Sequence, residues 1–229
     1  LPIWVGDLEP GTPIDTEALN TPGAPNEMAS PPAADAILNE WVADHVGTDD
    51  HEYVEVLGDP DTDLSSLSVV VIEGDDPGLG RVDTVIDVGT TDSSGYWVSA
   101  FSTDEIENGS KTILLVQFLE VAAGFDVDTD DDGTMDEAPW FRIVDAVSVS
   151  DGDAGDMSYA DPVLTPAFGD GASTVGGASR IPDGTDTDSG ADWTRNHFGG
   201  DGLSGVGGGT ASGSEAVNTP AAENALGSG

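Results

Sequence analysis

Seven short β-branched or aromatic runs, each closed off by turn-forming residues, are the strongest constraint this sequence places on its fold. They cover 36–42, 52–57, 67–73, 81–88, 95–101, 111–118 and 141–149. Clusters of Gly, Asp, Asn, Pro or Ser bound every run, and no amphipathic helical period appears between them. Several runs alternate: Glu52, Val54 and Val56 project to one side, Tyr53 and Glu55 to the other, as expected of a strand with one wet face. Seven or more such strands predict an all-β chain folded as an antiparallel β-sandwich. The 31 glycines and 14 prolines supply the turns, and 37% hydrophobic residues are enough for a core.

A second feature divides the chain. Glu17-Ala18-Leu19-Asn20-Thr21-Pro22-Gly23-Ala24-Pro25-Asn26 returns as Glu215-Ala216-Val217-Asn218-Thr219-Pro220-Ala221-Ala222-Glu223-Asn224, an ungapped offset of 198 residues from position 17 to position 215. A period that long is one whole domain, not a solenoid repeat. Residues 1–34 therefore read as an extended tail resembling the end of a preceding copy or an exchanged segment, and 35–229 as the sandwich. Seven prolines up to Pro32 exclude a central strand or helix from most of the tail, leaving an edge strand near 1–5 as an expectation. Its apolar residues Leu1, Ile3, Trp4, Val5 and Ile14 cannot bury themselves locally. They are expected to bind a partner, by adding a strand to or covering an edge of another copy, in tandem or head to tail. Repeated, that heterologous contact builds an open filament. Residues 199–214, rich in Gly and Ser, read as a linker or exposed loop.

Forty-five acidic residues face one lysine and four arginines, a formal charge of −40. Such a field repels phosphate backbones and anionic membranes and attracts cations, so nucleic acid is not an expected partner. Its self-repulsion is relieved by salt or divalent ions, which suits a halophilic or marine setting. Cysteine is absent, and no apolar run approaches the ~20 residues that span a bilayer. The chain begins at Leu1 with no basic n-region, so removal of a leader or upstream domain is expected, and with it an extracellular or cell-surface location.

One acidic stretch has a ligand pattern. Asp128-Thr129-Asp130-Asp131-Asp132-Gly133-Thr134-Met135-Asp136 places oxygen donors at loop positions 1, 3 and 5, Gly at 6, and a carboxylate at 9. A hard divalent ion needs 6–8 oxygens, and side chains at alternate positions converge when the backbone curls around it. The spacing predicts Ca2+ held by Asp128, Asp130, Asp132, the Thr134 carbonyl and Asp136. Position 12 is Pro139, so Glu137 or Asp126 would replace the usual acidic residue. Other acidic runs (59–63, 151–156, and Asp183 with Asp186, Asp188 and Asp192) read as turns and caps. His45, His51 and His197 sit in no zinc-binding frame, no Gly-x-Ser-x-Gly elbow is present, and the glycines at 199–209 lack the strand and helix of a phosphate loop. Trp41, Trp97 and Trp140, in or beside predicted strands, are expected in the core.

Ile37-Leu38-Asn39-Glu40, Glu52-Tyr53-Val54-Glu55-Val56 and Asp63-Leu64-Ser65-Ser66-Leu67 resemble, in that order, the opening of lamin-tail domains. The resemblance continues through Ser179-Arg180-Ile181-Pro182-Asp183-Gly184, then Ala191-Asp192-Trp193, and closes at Asn218-Thr219-Pro220-Ala221-Ala222-Glu223-Asn224. It implies an immunoglobulin-like sandwich with an extended N-terminal segment, of the bacterial kind found in secreted or surface proteins and beside extracellular nucleases. The functional expectation is a non-catalytic, calcium-stabilised structural or adhesive module able to form filaments. The alternative is an accessory domain of a larger extracellular nuclease or phosphatase. Carbohydrate binding would need exposed aromatic residues on one face.

Overall fold

The computed structural model describes residues 35–106, 108–166 and 175–229. The tail residues Leu1, Ile3, Trp4, Val5 and Ile14, and the first copy of the repeated segment, lie outside them. The described part is a β-sandwich of two five-stranded sheets. In chain order the strands are β1 (Ala36–Val42), β2 (Tyr53–Gly58), β3 (Leu67–Glu73), β4 (Val82–Asp87), β5 (Tyr96–Val98), β6 (Lys111–Gln117), β7 (Arg142–Val149), β8 (Val163–Leu164), β9 (Gly177–Arg180) and β10 (Trp193–Arg195). One sheet runs β10-β9-β1-β2-β5 and the other β4-β3-β6-β7-β8, antiparallel except for the β7–β8 pair. All seven predicted runs are strands, trimmed by one to three residues at some ends. Three more, too short for periodicity to announce, complete the sheets.

The sheets meet through Leu38, Val54 and Val56 on one side and Val69, Val71, Ile113, Leu115, Val147 and Val149 on the other, all essentially inaccessible. β3 and β6 are buried along both faces, which explains their near-continuous apolar composition. The outer face of β3 and β6 carries Val70, Ile72, Leu114 and Val116 and is covered by Val127, Trp140 and Tyr159. The outer face of the other sheet is covered as well. Tyr53 packs with Val42 and Leu203, and Glu55 is fully buried, so the expected wet face of β2 is dry. The segment 199–214, read as a linker or exposed loop, is a largely exposed loop that Leu203 and Ala211, both buried, anchor to the sandwich. Trp41 and Trp140 are core residues and Trp97 packs against the core, as expected.

An ionic contact joins the sheets. Arg180 on β9 is 1% exposed, and its Nη2 donates to both carboxylate oxygens of Asp145 on β7, at 3.1 and 2.9 Å. Its Nε donates to the Leu38 carbonyl at 2.7 Å, while Asp145 Oδ2 accepts from the Leu38 amide at 2.7 Å. The guanidinium also lies 4.5 Å over the Trp193 ring and pairs with Asp186 at 3.0 Å. Removing one partner of such a buried pair strands the other charge. Arg180→Ala is therefore expected to cost about 3–5 kcal/mol in a urea denaturation experiment, far more than Arg81→Ala, whose pair with Asp126 is exposed.

Candidate metal centres and the closing groove

The acidic loop grows out of the segment that covers β3 and β6. Val127 is buried against that sheet, and its amide donates to the Gly80 carbonyl at 2.8 Å. The neighbouring Asp128 is consequently buried too. The approach requires glycine at 80: φ is +71°, and a Cβ there would sit 2.6 Å from that of Asp128. Asp128 Oδ1 accepts from the Asp132 amide at 3.2 Å, and Oδ2 from the Gly133 amide at 2.9 Å and the Tyr159 hydroxyl at 3.0 Å. Gly133 turns the chain with φ +83°. Three carboxylates converge, with one oxygen each of Asp128, Asp130 and Asp136 within 4.8 Å of one another. The charge of Asp132 pushes the Asp130 carboxyl above its ordinary pKa, helped by partial desolvation and by Asp136 and Asp128.

Of the expected ligands, Asp132 is not in that group. Its Oδ1 accepts from the Thr134 amide at 2.9 Å, a local turn contact. Asp126, considered as a substitute ligand, instead pairs with Arg81 at 3.4 Å. The acidic cluster at 183–192 serves the fold, as the turn-and-cap reading expected. Asp192 caps the short 3-10 turn Gly190–Asp192, and Asp183 accepts from Asn39, Tyr96 and the Asn224 amide.

Three further groups of ligand atoms come together among the described residues: His45, Asp50 and His51; Asp49, Glu52 and Asp104; and Asp75, Asp151 and Asp156. The first follows no linear zinc frame, because the β1–β2 loop folds His45 back on His51, with ring centroids 5.7 Å apart. In the second, burial pushes the Glu52 carboxyl up, opposed by the Glu105 and Ile106 amides that it accepts.

The repeated C-terminal segment fills a groove over β1 and β2. A bulge between Leu38 and Glu40 turns Asn39 so that its Nδ2 donates to Glu55 Oε1 at 2.8 Å. Glu40, fully buried, accepts from Ser179 Oγ at 2.8 Å, Asn196 Nδ2 at 2.9 Å and the Thr219 amide at 3.1 Å. Glu55 Oε2 accepts from the Ala221 amide at 2.7 Å. Asn218 accepts from Asn196 at 2.9 Å and donates to the Asp201 carbonyl at 2.9 Å, while Asn224 donates to the Asn39 carbonyl at 3.0 Å. The closing element is thus held chiefly by carboxylates and amides on the outer face of the sheet.

Burial, reinforced by the charge of Glu40, raises the Glu55 pKa from 4.5 to about 8. A carboxyl with a raised folded-state pKa favours folding most below its unfolded value, and that contribution is lost as the pH rises through the folded value. From this group, stability should fall between pH 4.5 and about 8. Glu55→Gln is expected to flatten the decline. Urea denaturation at pH 5 and pH 8 should show the difference between the two pH values shrinking in the variant, by up to about 4 kcal/mol at ~1.4 kcal/mol per unit.

Comparison with models of protein families, with curated proteins and with solved structures returned no match to this chain.

Proposed function

We propose that this chain is a non-catalytic structural module of an extracellular or cell-surface assembly, immunoglobulin-like and related to lamin-tail domains, in which copies join by exchanging closing elements. The observation that carries this reading is the match between the groove and the repeated segment. Asn218, Thr219 and Asn224, whose amides and side chains meet the groove, stand at the positions of Asn20, Thr21 and Asn26 in the first copy. Ala221 adopts φ +62°, a region where a Cβ is unfavourable by roughly 1–2 kcal/mol. The first copy has Gly23 at that place, so its sequence meets the groove's backbone requirement without the penalty. Segment 17–26 of one copy therefore suits the groove of another, with Leu1, Ile3, Trp4, Val5 and Ile14 adding apolar contact beyond it. Sugar stacking has less to support it: Trp41, Trp140 and Trp193 are buried, which leaves exposed phenylalanines such as the pair Phe118 and Phe141, packed edge to face, to serve it.

Vacating the groove should promote the exchange. Asn218→Ala with Asn224→Ala is expected to give concentration-dependent oligomers by light scattering, and adding Asn20→Ala with Asn26→Ala should return the chain to monomer. Oligomers that survive the tail substitutions, or a folded double variant that stays monomeric, would overturn the reading. If the double variant does not fold, a peptide of residues 17–26 should restore its near-UV circular dichroism, and failure to do so counts equally against exchange.

Calcium at Asp128, Asp130 and Asp136 completes the proposal as a stabilising ion, supported by the convergence of three carboxylates on a glycine turn. Chelation is expected to lower the melting temperature, and Asp130→Asn with Asp136→Asn to remove most of that response in scanning calorimetry.

A further inference from the structure

We propose that Asp49, Glu52 and Asp104 hold a divalent cation that ties the β1–β2 loop to the connection between β5 and β6, independently of the 128–136 loop. These two segments meet at one end of the sandwich. Glu52 and Ser102 form an isolated antiparallel bridge, and the Asp104 amide donates to the Asp49 carbonyl at 3.2 Å. The connection runs from β5 in one sheet to β6 in the other, so an ion here would fasten the two sheets at their rim.

The argument rests on Glu52. Its residue is 0% exposed, and a buried carboxylate needs partners for both oxygens. Oε2 accepts from the Glu105 amide at 2.7 Å and the Ile106 amide at 3.0 Å. Oε1 is buried and has no hydrogen-bond partner. Around this carboxylate the chain has gathered negative charge: one oxygen each of Asp49, Glu52 and Asp104 lies within 4.8 Å of the others. Asp104 reaches this position with φ +49°, a conformation in which Asp and Asn are enriched among residues with a Cβ. Three ionised carboxylates this close repel one another, and a cation between them relieves that repulsion. The same cation would supply the missing partner of Oε1.

Room is available for the rest of a coordination shell. A cavity of about 470 Å³ opens beside the group, lined by Glu52, Asp83, Thr84, Asp104, Glu105 and Asn108 among others. The donors in the group are oxygens alone, without imidazole or thiolate, which selects a hard ion of the calcium or magnesium class over zinc or copper. Three protein carboxylates leave several positions for water. The larger, geometrically tolerant Ca2+ suits such a shell better than Mg2+, which demands a near-ideal octahedron.

Calcium titration calorimetry of the full chain carrying Asp130→Asn and Asp136→Asn isolates this site from the loop. One calcium ion should still bind. Asp104→Asn, at an exposed position, should weaken it at least tenfold, Asp49→Asn likewise, and Glu52→Gln should abolish it. Calcium should also slow hydrogen exchange at the Glu105 and Ile106 amides in the chain without substitutions. If Glu52→Gln fails to fold, the two Asp variants carry the test. Loss of all calcium binding on removing the loop carboxylates would overturn this site and leave the loop standing. Binding that persists there and disappears with Asp104→Asn would uphold this site; the loop falls only if the unsubstituted chain binds no more calcium than the loop variant. Residual binding indifferent to Asp49→Asn and Asp104→Asn, or unchanged exchange at those two amides, would overturn it as well.

Discussion

A buried guanidinium fastens this sandwich. Arg180 leaves β9 and meets Asp145 across the interior, while both take up the backbone of Leu38 on β1 between them. The arrangement couples three strands from two sheets through directional bonds, which apolar contact between the sheets does not provide by itself. Burial pushes the Asp145 carboxyl up, and Arg180 draws it back down, so the pair is the condition on which the acid can stay ionised inside. Asp186 and Asp192 then orient the guanidinium from the surface side. The 181–192 turn, the 3-10 cap and β10 are all arranged around that one charge.

The same sheet and its rim show how a strongly acidic chain manages buried carboxylates. Three glutamates on or beside β1 and β2 are inaccessible, and each meets its desolvation differently. Glu40 is surrounded by donors from Ser179, Asn196 and Thr219. Glu55 has two donors and the charge of Glu40 nearby, and is driven toward its protonated form. Glu52 has two amides on one oxygen, no hydrogen-bond partner on the other, and two further carboxylates close by. Donors, a proton and a cation are the three ways to keep such a group inside, and this sheet offers a place for each. The closing element supplies donors to two of the three, which makes its docking a chemical requirement of the sheet as well as a packing one.

The net charge of −40 sets the conditions under which this works. Self-repulsion favours expansion, and a fold without disulfides has only its core, its hydrogen bonds and bound counter-ions to oppose it. Divalent ions are the most economical counter-ions, since one ion can neutralise carboxylates from two segments at once. Carboxylates converge at the 128–136 loop, over one sheet, and at the rim where the β1–β2 loop meets the β5–β6 connection.

The strands were legible because period-2 alternation and turn residues are local signals: β1 and β3 fall on the residues that the runs marked, and the other five within a few residues. Gly133, with its positive φ, and the convergence of Asp128, Asp130 and Asp136 were likewise written in the loop's spacing. The short strands β8, β9 and β10 were not, since two to four residues carry no period and form only where a neighbouring edge offers hydrogen bonds. The dry outer face of β2 was also beyond the sequence. Alternation shows that Tyr53 and Glu55 share a face, but only the chain returning at 203 and 219–221 decides that the face is covered. The grouping of Asp49 and Glu52 with Asp104, and of His45 with His51, depends on how two loops fold at the rim. By itself the sequence determined seven of the ten strands, the acidic field and the repeated closing segment, because each is local or a matter of counting. Tertiary structure decided which carboxylates are buried together and what meets them, because those pairings join residues up to 179 positions apart that no periodicity connects.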